Sequence, residues 1–539
     1  MRRAIQNGAH NQIVTTLTIT VLYMCIWSLS SASAKQANST YTFPDDFLLG
    51  FSTASYQIEG GWNADGKGEN IWDTFTHAHP EMIKGGTNGD IAADSYHKYK
   101  EDVQLLKNLR AQVYRFSLSW SRILPTGDVD VINQKGIQYY NNLINELIRN
   151  EIQPMVTLYH WDLPEPLQEL GGWTNPILAD YFEEYARIAF EYFGDRVKLW
   201  VTINEPTSVT IFGYGNGWMS PAVNISGIAE YLAGHTLLIS HARAYHLYDT
   251  EFRQLQGGQI GISLSGDWKE PASNSTRDIE AAETQMQFDF GWFGHPILKG
   301  DYPEIMRQKI NSNSRAEGRR RSRLPVFDRE MIDYIKGTVD FLGLNHYTTK
   351  LVSPTSAPDV PNPSWERDTG NHVFPDPSWR GSNVFWLKVV PWGFRKQLNW
   401  IKKEYNNIPV IVTENGFADN GTLEDYGRID YHKEYIEEML KAIHIDECNV
   451  RGYIAWSLID NFEWIFGYEV KFGVYSVDFD SANRTRTEKL SVDFFRRIYG
   501  SKELPGKEYE EIYEKFRSSG RKESSDNATV KCLNLCISG

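Results

Sequence analysis

Eight short apolar runs recur along the chain: Phe47–Ser55, Val113–Trp120, Pro154–Trp161, Val197–Asn204, Gln259–Ser265, Val339–Tyr347, Pro409–Thr413 and Val450–Ser457. Each has the length of a strand and the apolar density of one buried on both faces. Longer stretches of helical period separate them. In Asp180–Gly194, for example, Phe182, Tyr185, Ile188, Ala189 and Tyr192 recur at the spacing of one helix face. Buried strands alternating with helices predict an α/β protein with a parallel sheet, and eight of them predict a single closed (β/α)8 barrel of the TIM type. A doubly wound open sheet is the alternative, but no run is followed by the G-x-G-x-x-G turn that such sheets use for dinucleotides. The connections after runs one, four and six (about Glu59–Glu101, Pro206–Gly258 and Thr348–Asn407) are long and rich in Gly, Pro, Asn and Trp. In a barrel such βα loops build the active-site face.

The barrel is expected over residues 35–500. Ahead of it, residues 1–34 have the layout of a secretory signal peptide: Arg2 and Arg3, an apolar run Ile13–Trp27, and Ala32-Ser33-Ala34 before Lys35. The apolar run is short for a transmembrane helix, and nothing later is long enough to span. The chain is therefore expected to be secreted. Sequons at Asn38, Asn224, Asn274, Asn420, Asn483 and Asn527 agree and are candidate glycosylation sites. Residues 501–539 are polar and charged and read as a flexible tail.

Charge narrows the partners. A net charge of −14 argues against nucleic acid and anionic membranes. The one basic run, Arg315–Arg323, reads as a solvated loop. After loss of Cys25 with the leader, Cys448, Cys532 and Cys536 cannot all pair with one another. A Cys532–Cys536 bridge and a free, buried Cys448 both fit. No cluster has metal-ligand spacing, so no metal and no cofactor is expected. Seventeen Trp in an otherwise ordinary composition supply flat apolar faces with a hydrogen-bonding edge, a combination suited to polyhydroxylated ligands as well as to cores.

The strand ends carry the chemistry. "VTINEP" delivers Asn204 and Glu205 at the tip of run four, with Pro206 barring further strand, and "VTENG" delivers Glu414 at the tip of run seven. A buried strand that ends on a carboxylate must neutralise that charge or use it. In a barrel the two tips face each other across the mouth. Two carboxyls about 5 Å apart suit retaining glycoside hydrolysis, and ~6.5–9.5 Å suits inversion. Their mutual repulsion raises one pKa, so that group can serve as acid near neutral pH. Other ends add Arg115 in "YRFS", His160 and Trp161 in "YHW", Asn345 and Tyr347 in "NHY", Gln57 in "SYQIEGGW", and Trp456, Glu463 and Trp464 in "AWSLIDNFEW". Each alone has a dull explanation as a core or salt-bridge residue. Their convergence on one rim does not.

With these motifs in order, the chain resembles glycoside hydrolase family 1 from about Tyr41 to Tyr499, and its connecting text resembles the secreted insect β-glucosidases and myrosinase-like members. The resemblance implies Glu414 as nucleophile, Glu205 as acid/base, and Asn204 at the sugar 2-hydroxyl. It implies that Arg115 and Tyr347 flank and orient Glu414. Gln57, His160, Trp161, Glu463 and Trp464 would read the glycone, with Trp456 stacking beneath it and Asn345 also lining the sugar. It implies a small β-glycoside as substrate, no cofactor, and a monomer or homodimer. Leu49 and Lys471 depart from the family's usual residues and are not expected to touch the sugar. An O-glucosidase is favoured over a thioglucosidase because Glu205 is present and the loop after it, "PTSVTIF", holds no base for a sulfated aglycone, although Lys350 could provide one. Glu463 argues against a 6-phosphate sugar, and both glutamates argue against an inactive sugar-binding protein on the same scaffold.

Overall fold

The computed structural model describes residues 41–355 and 361–506, and beyond them only positions 511, 513 and 517. The expected leader, the sequons at Asn38 and Asn527, and Cys25, Cys532 and Cys536 lie outside the described residues. Residues 43–502 form one compact unit, and outside it Thr42 and Glu503 form an antiparallel bridge with each other.

The eight runs become eight parallel strands closed into a barrel: β1 (Leu48–Ser52), β2 (Val113–Ser117), β3 (Gln153–Tyr159), β4 (Leu199–Asn204), β5 (Gln259–Ser265), β6 (Phe341–Asn345), β7 (Val410–Glu414) and β8 (Val450–Trp456). β1 closes the ring by pairing with both β2 and β8, from Gly50 opposite Val113 and Leu48 opposite Gly452. The barrel interior is filled near its floor by Val113, Met155, Leu199, Val201, Phe341, Ile411 and Ile454, with Leu48 against them. At that level β5 contributes Gly261. A Cβ there would stand 2.6 Å from the Phe341 ring, so the glycine makes room for the phenyl group.

Most strands are shorter than their apolar runs, and the difference falls largely at the C-terminal ends. Residues 55–58 form a helical turn rather than the end of β1, and residues 120–123 do the same after β2. Apolar sequence continues through these turns because they too are buried. The long connections also differ from expectation. Helices Ser95–Asn108, Ala229–Leu247 and Pro391–Glu404 occupy parts of them. The helix Ala229–Leu247 is buried around most of its circumference, so it lacks the one-sided periodicity that reveals an amphipathic helix. The helix predicted over Asp180–Gly194 runs from Leu178 to Phe193, and its Tyr185 stacks on Trp120 with ring centres 4.5 Å apart.

The basic run is only partly solvated. Arg319, Arg320 and Arg321 are exposed, but Arg323 is buried and forks onto both Asp368 oxygens at 2.6 Å, with a further bond to the Gly227 carbonyl. Cys448 is free and buried, and burial pushes its thiol up to about 11. Asn224, Asn274, Asn420 and Asn483 are all exposed, and each lies on a connection that follows the C-terminal end of a barrel strand.

Removing one partner of a buried ion pair strands the other charge and costs about 3–5 kcal/mol. Arg323→Met is therefore expected to lower unfolding stability by that order in a urea titration. The double substitution Arg320→Ala/Arg321→Ala, on exposed side chains of the same run, is expected to leave the midpoint unchanged.

Candidate active site

Two register breaks aim the carboxylates. Parallel pairing of β4 with β5 shifts between Val201 and Asn204, and pairing of β7 with β6 shifts between Val412 and Glu414. Each irregularity falls just before a glutamate and turns the strand end from its regular alternation. Glu205 then takes a left-handed backbone conformation (φ 46°, ψ 62°), costly for a residue with a Cβ. Trp161 (φ 76°) and Trp464 (φ 51°) do the same at the ends of other elements of the mouth.

Arg115, fully buried, stands between the two tips. Its Nη1 donates to Glu414 Oε1 at 2.7 Å and its Nη2 to Asn204 Oδ1 at 2.7 Å, while Nε is held by Thr157 Oγ1 at 3.0 Å. Asn345 Nδ2 completes the chain, donating to Asn204 Oδ1 (3.0 Å) and to Glu205 Oε1 (2.9 Å). The second oxygen of Glu414 accepts from Tyr347 Oη at 2.8 Å, and that of Glu205 from Ser208 Oγ at 2.7 Å. The two carboxylates thus sit at the ends of one hydrogen-bonded series: Glu414, Arg115, Asn204, Asn345, Glu205.

Their electrostatic settings differ. Glu414 has a guanidinium against it. Glu205 has only neutral donors, and burial, followed by the charge of Glu414, pushes it up to about 7. Burial and Glu414 likewise push Glu463 up to about 8, against hydrogen bonds from Gln57 and Trp456. Tyr347 is raised well above its ordinary value by burial and by the nearby carboxylates, so it stays a neutral phenol that donates. Burial and then Arg115 hold His160 well below its ordinary value, so its ring is neutral.

Gln57 Nε2 donates to Asn461 Oδ1 and the Phe462 carbonyl, both at 2.9 Å, and reaches Glu463 Oε2 at 3.4 Å. The loop after β1 and the loop after β8 are thereby joined. His160 Nε2 lies 3.0 Å from Asn204 Nδ2 and is the acceptor of that pair, with its ring 6.0 Å from both Trp456 and Trp464. Trp161 stacks on Trp464 with centroids 4.7 Å apart.

All twelve residues singled out at the strand ends meet at this one mouth. Two of them also have protein partners that the sequence did not indicate. Asn345, expected on the sugar, spends its amide N–H on Asn204 and Glu205, while its carbonyl oxygen accepts from Thr413 at 2.6 Å. Trp161 donates its indole N–H to the Asn204 carbonyl at 3.0 Å. Gly416, which follows Glu414 by two residues, has an ordinary negative φ; its lack of a side chain matters because a Cβ would stand 2.2 Å from the Trp456 carbonyl oxygen. Sequence reasoning missed Ser208, Thr157 and Asn461. A hydroxyl three residues after a strand-end carboxylate, as in "NEPTS", is the signal that could have found Ser208. Among the described residues no group of His, Cys, Asp or Glu could hold a metal ion, and no helix is long and apolar enough to cross a membrane.

Arg115→Met leaves Glu414 buried beside no cation and is expected to cost about 3–5 kcal/mol in urea unfolding. Arg115→Met/Glu414→Leu, which removes both charges, is expected to recover most of that loss.

The family model for glycosyl hydrolase family 1 matches residues 39–504. The chain is 52% identical over 460 residues to Myrosinase 1 of Brevicoryne brassicae, a match covering 85% of this chain and 98% of that protein. It is 44% identical over 464 residues to the cytosolic beta-glucosidase of Homo sapiens, covering 85% and 97%. The solved structure of aphid myrosinase superposes with a TM-score of 0.83, covering 85% of this chain and 99% of that one. With nearly the whole barrel matched, the chain belongs to glycosyl hydrolase family 1.

Proposed function

We infer that the protein is a secreted, retaining β-glucosidase that cleaves terminal β-D-glucosyl residues, and β-fucosyl or β-galactosyl residues where the pocket accepts them, by double displacement. The observation that carries this is the unequal setting of the two glutamates. Glu414, with Arg115 and Tyr347 on its two oxygens, is suited to attack the anomeric carbon. Glu205, near 7 and touched only by neutral donors, is suited to give its proton to the departing glycosidic oxygen. The C1–O bond breaks as the bond from Glu414 to C1 forms. Water, deprotonated by Glu205, then attacks C1, releases Glu414 and restores the proton to Glu205.

The remaining groups fit a sugar. Beyond its contact with His160, Asn204 Nδ2 has a second N–H for the 2-hydroxyl, where contacts strengthen in the transition state. Gln57 Oε1 has no hydrogen-bond partner and can accept from a hydroxyl. The layout of residues 1–34 and the exposure of four sequon asparagines support secretion. The likeness to Myrosinase 1 favours a second reading, hydrolysis of thioglucosides. Against it, Lys350, the cation available to a sulfated aglycone, lies 3.5 Å from Asp267 and is already paired.

Incubation with an activated 2-deoxy-2-fluoro-β-glucoside, digestion and mass spectrometry are expected to find the sugar on Glu414. Folded protein that takes no label and turns over no aryl β-glucoside would sink the proposal. The acid must hold its proton to work, so kcat/KM is expected to fall as pH rises through about 7. Glu205→Gln is expected to slow phenyl β-glucoside by about 10²–10⁴-fold and 2,4-dinitrophenyl β-glucoside far less, with the limb near 7 gone.

A further inference from the structure

The orientation of three side chains decides which oxygen of Glu205 can carry a proton. A guanidinium has only donors, so the Asn204 atom that faces Arg115 Nη2 at 2.7 Å is its carbonyl oxygen. That oxygen also faces the Asn345 side chain at 3.0 Å, so the Asn345 atom there is the amide nitrogen. The Asn345 carbonyl is turned the other way and accepts from Thr413 Oγ1 at 2.6 Å, which agrees. The same Asn345 nitrogen lies 2.9 Å from Glu205 Oε1. Oε1 therefore meets a group that can only donate. A protonated carboxyl keeps its carbonyl oxygen on such a donor and places its hydroxyl on the other oxygen. When Glu205 is an acid, its proton is on Oε2.

Among the described residues the hydrogen-bond partner of Oε2 is Ser208 Oγ, at 2.7 Å. The half-buried serine lies in the helical turn Pro206–Ser208 that follows Glu205, and the next residue, Val209, donates its backbone N–H to the Glu205 carbonyl at 3.1 Å. A hydroxyl both donates and accepts, and changes from one to the other by rotating its hydrogen while every heavy atom stays in place. Neither an amide nitrogen nor a guanidinium could do this. The other charged and titratable groups around Glu205 come from other elements. They are Glu414 of β7, Arg115 of β2 by way of Asn204, Tyr347 and Glu463 after β6 and β8, and Asp267 after β5 with Lys269 and Lys350 beside it. They set the field at the carboxyl, and Ser208 touches the oxygen that titrates.

Resting on the glucosidase reading above, we propose that Ser208 is the positioning residue for the transferable proton. Its hydroxyl holds Oε2 in both states of Glu205, accepting while Glu205 is the acid and donating while it is the base. A hydrogen bond to a carboxylate is stronger than one from a neutral carboxyl. On balance the hydroxyl therefore favours the base, and without it Glu205 keeps its proton to higher pH.

The test compares Ser208→Thr with Ser208→Val on the whole protein, because threonine and valine share a shape and differ in the hydroxyl. The alkaline limb of kcat/KM for phenyl β-glucoside is expected to stay in place in Ser208→Thr and to move up by about 0.5–1 pH unit in Ser208→Val. Ser208→Ala replaces the valine variant if the latter does not fold. A limb at the same pH in all three proteins, or one displaced equally in both variants, would overturn the inference. The same titration is read without turnover from the carboxyl infrared band that Glu205→Gln removes. A band that titrates higher in Ser208→Val, in protein that hydrolyses no glycoside, would keep the serine's hold on the proton and sink the glucosidase reading. A band unmoved in an active enzyme would do the reverse.

Discussion

The guanidinium of Arg115 is the constraint around which the mouth of the barrel is arranged. It enters from β2, is held at Nε by Thr157 of β3, and turns its two remaining nitrogens to Glu414 of β7 and Asn204 of β4. A buried cation with fixed donor directions admits few arrangements of its acceptors. Once it is placed, Asn204 can offer only its other face to Asn345, and Asn345 can then reach Glu205. One ion pair therefore orders residues from five strands or strand ends. It also separates the two carboxylates in character, because the cation touches one of them and not the other.

The barrel supplies what a single ion pair cannot, which is reproducible distance. Parallel strands with filled interiors deform little, and their ends are locked to one another by register. The breaks before Asn204 and Glu414 are deviations from that register at the two places where a side chain must leave the regular alternation. Behind the loop that carries Glu463, a buried set of charges does similar work. Lys489 bonds Asp460 at 3.0 Å, and Arg428 bonds Asp425, Asp419 and the carbonyls of Phe417 and Phe472. The segment after the β7 glutamate and the segment after β8 are thus tied together.

Much of this was legible in the chain. Strand number, the closed barrel and the meeting of the strand-end residues all follow from buried apolar runs that stop on polar groups, since parallel strands bring their C-terminal ends to one face. The contacts made by each polar group were not legible. Nothing in "NHY" says that Asn345 bonds Asn204 and Glu205, because that depends on where Arg115 and Asn204 lie three-dimensionally. The helix Ala229–Leu247 escaped notice because burial around its circumference erases periodicity. Arg323 looked like its neighbours in a basic run, and only its approach to Asp368, far along the chain, distinguishes it.

The left-handed backbone at Glu205 has a consequence for how such a protein changes over time. That position combines an unfavourable φ with a buried carboxyl, two costs of which any small neutral replacement would relieve the second and glycine both. A lineage released from the need to cleave its substrate would gain sturdiness by losing this residue first. Durable but silent copies of the barrel are therefore the ready outcome of relaxed selection.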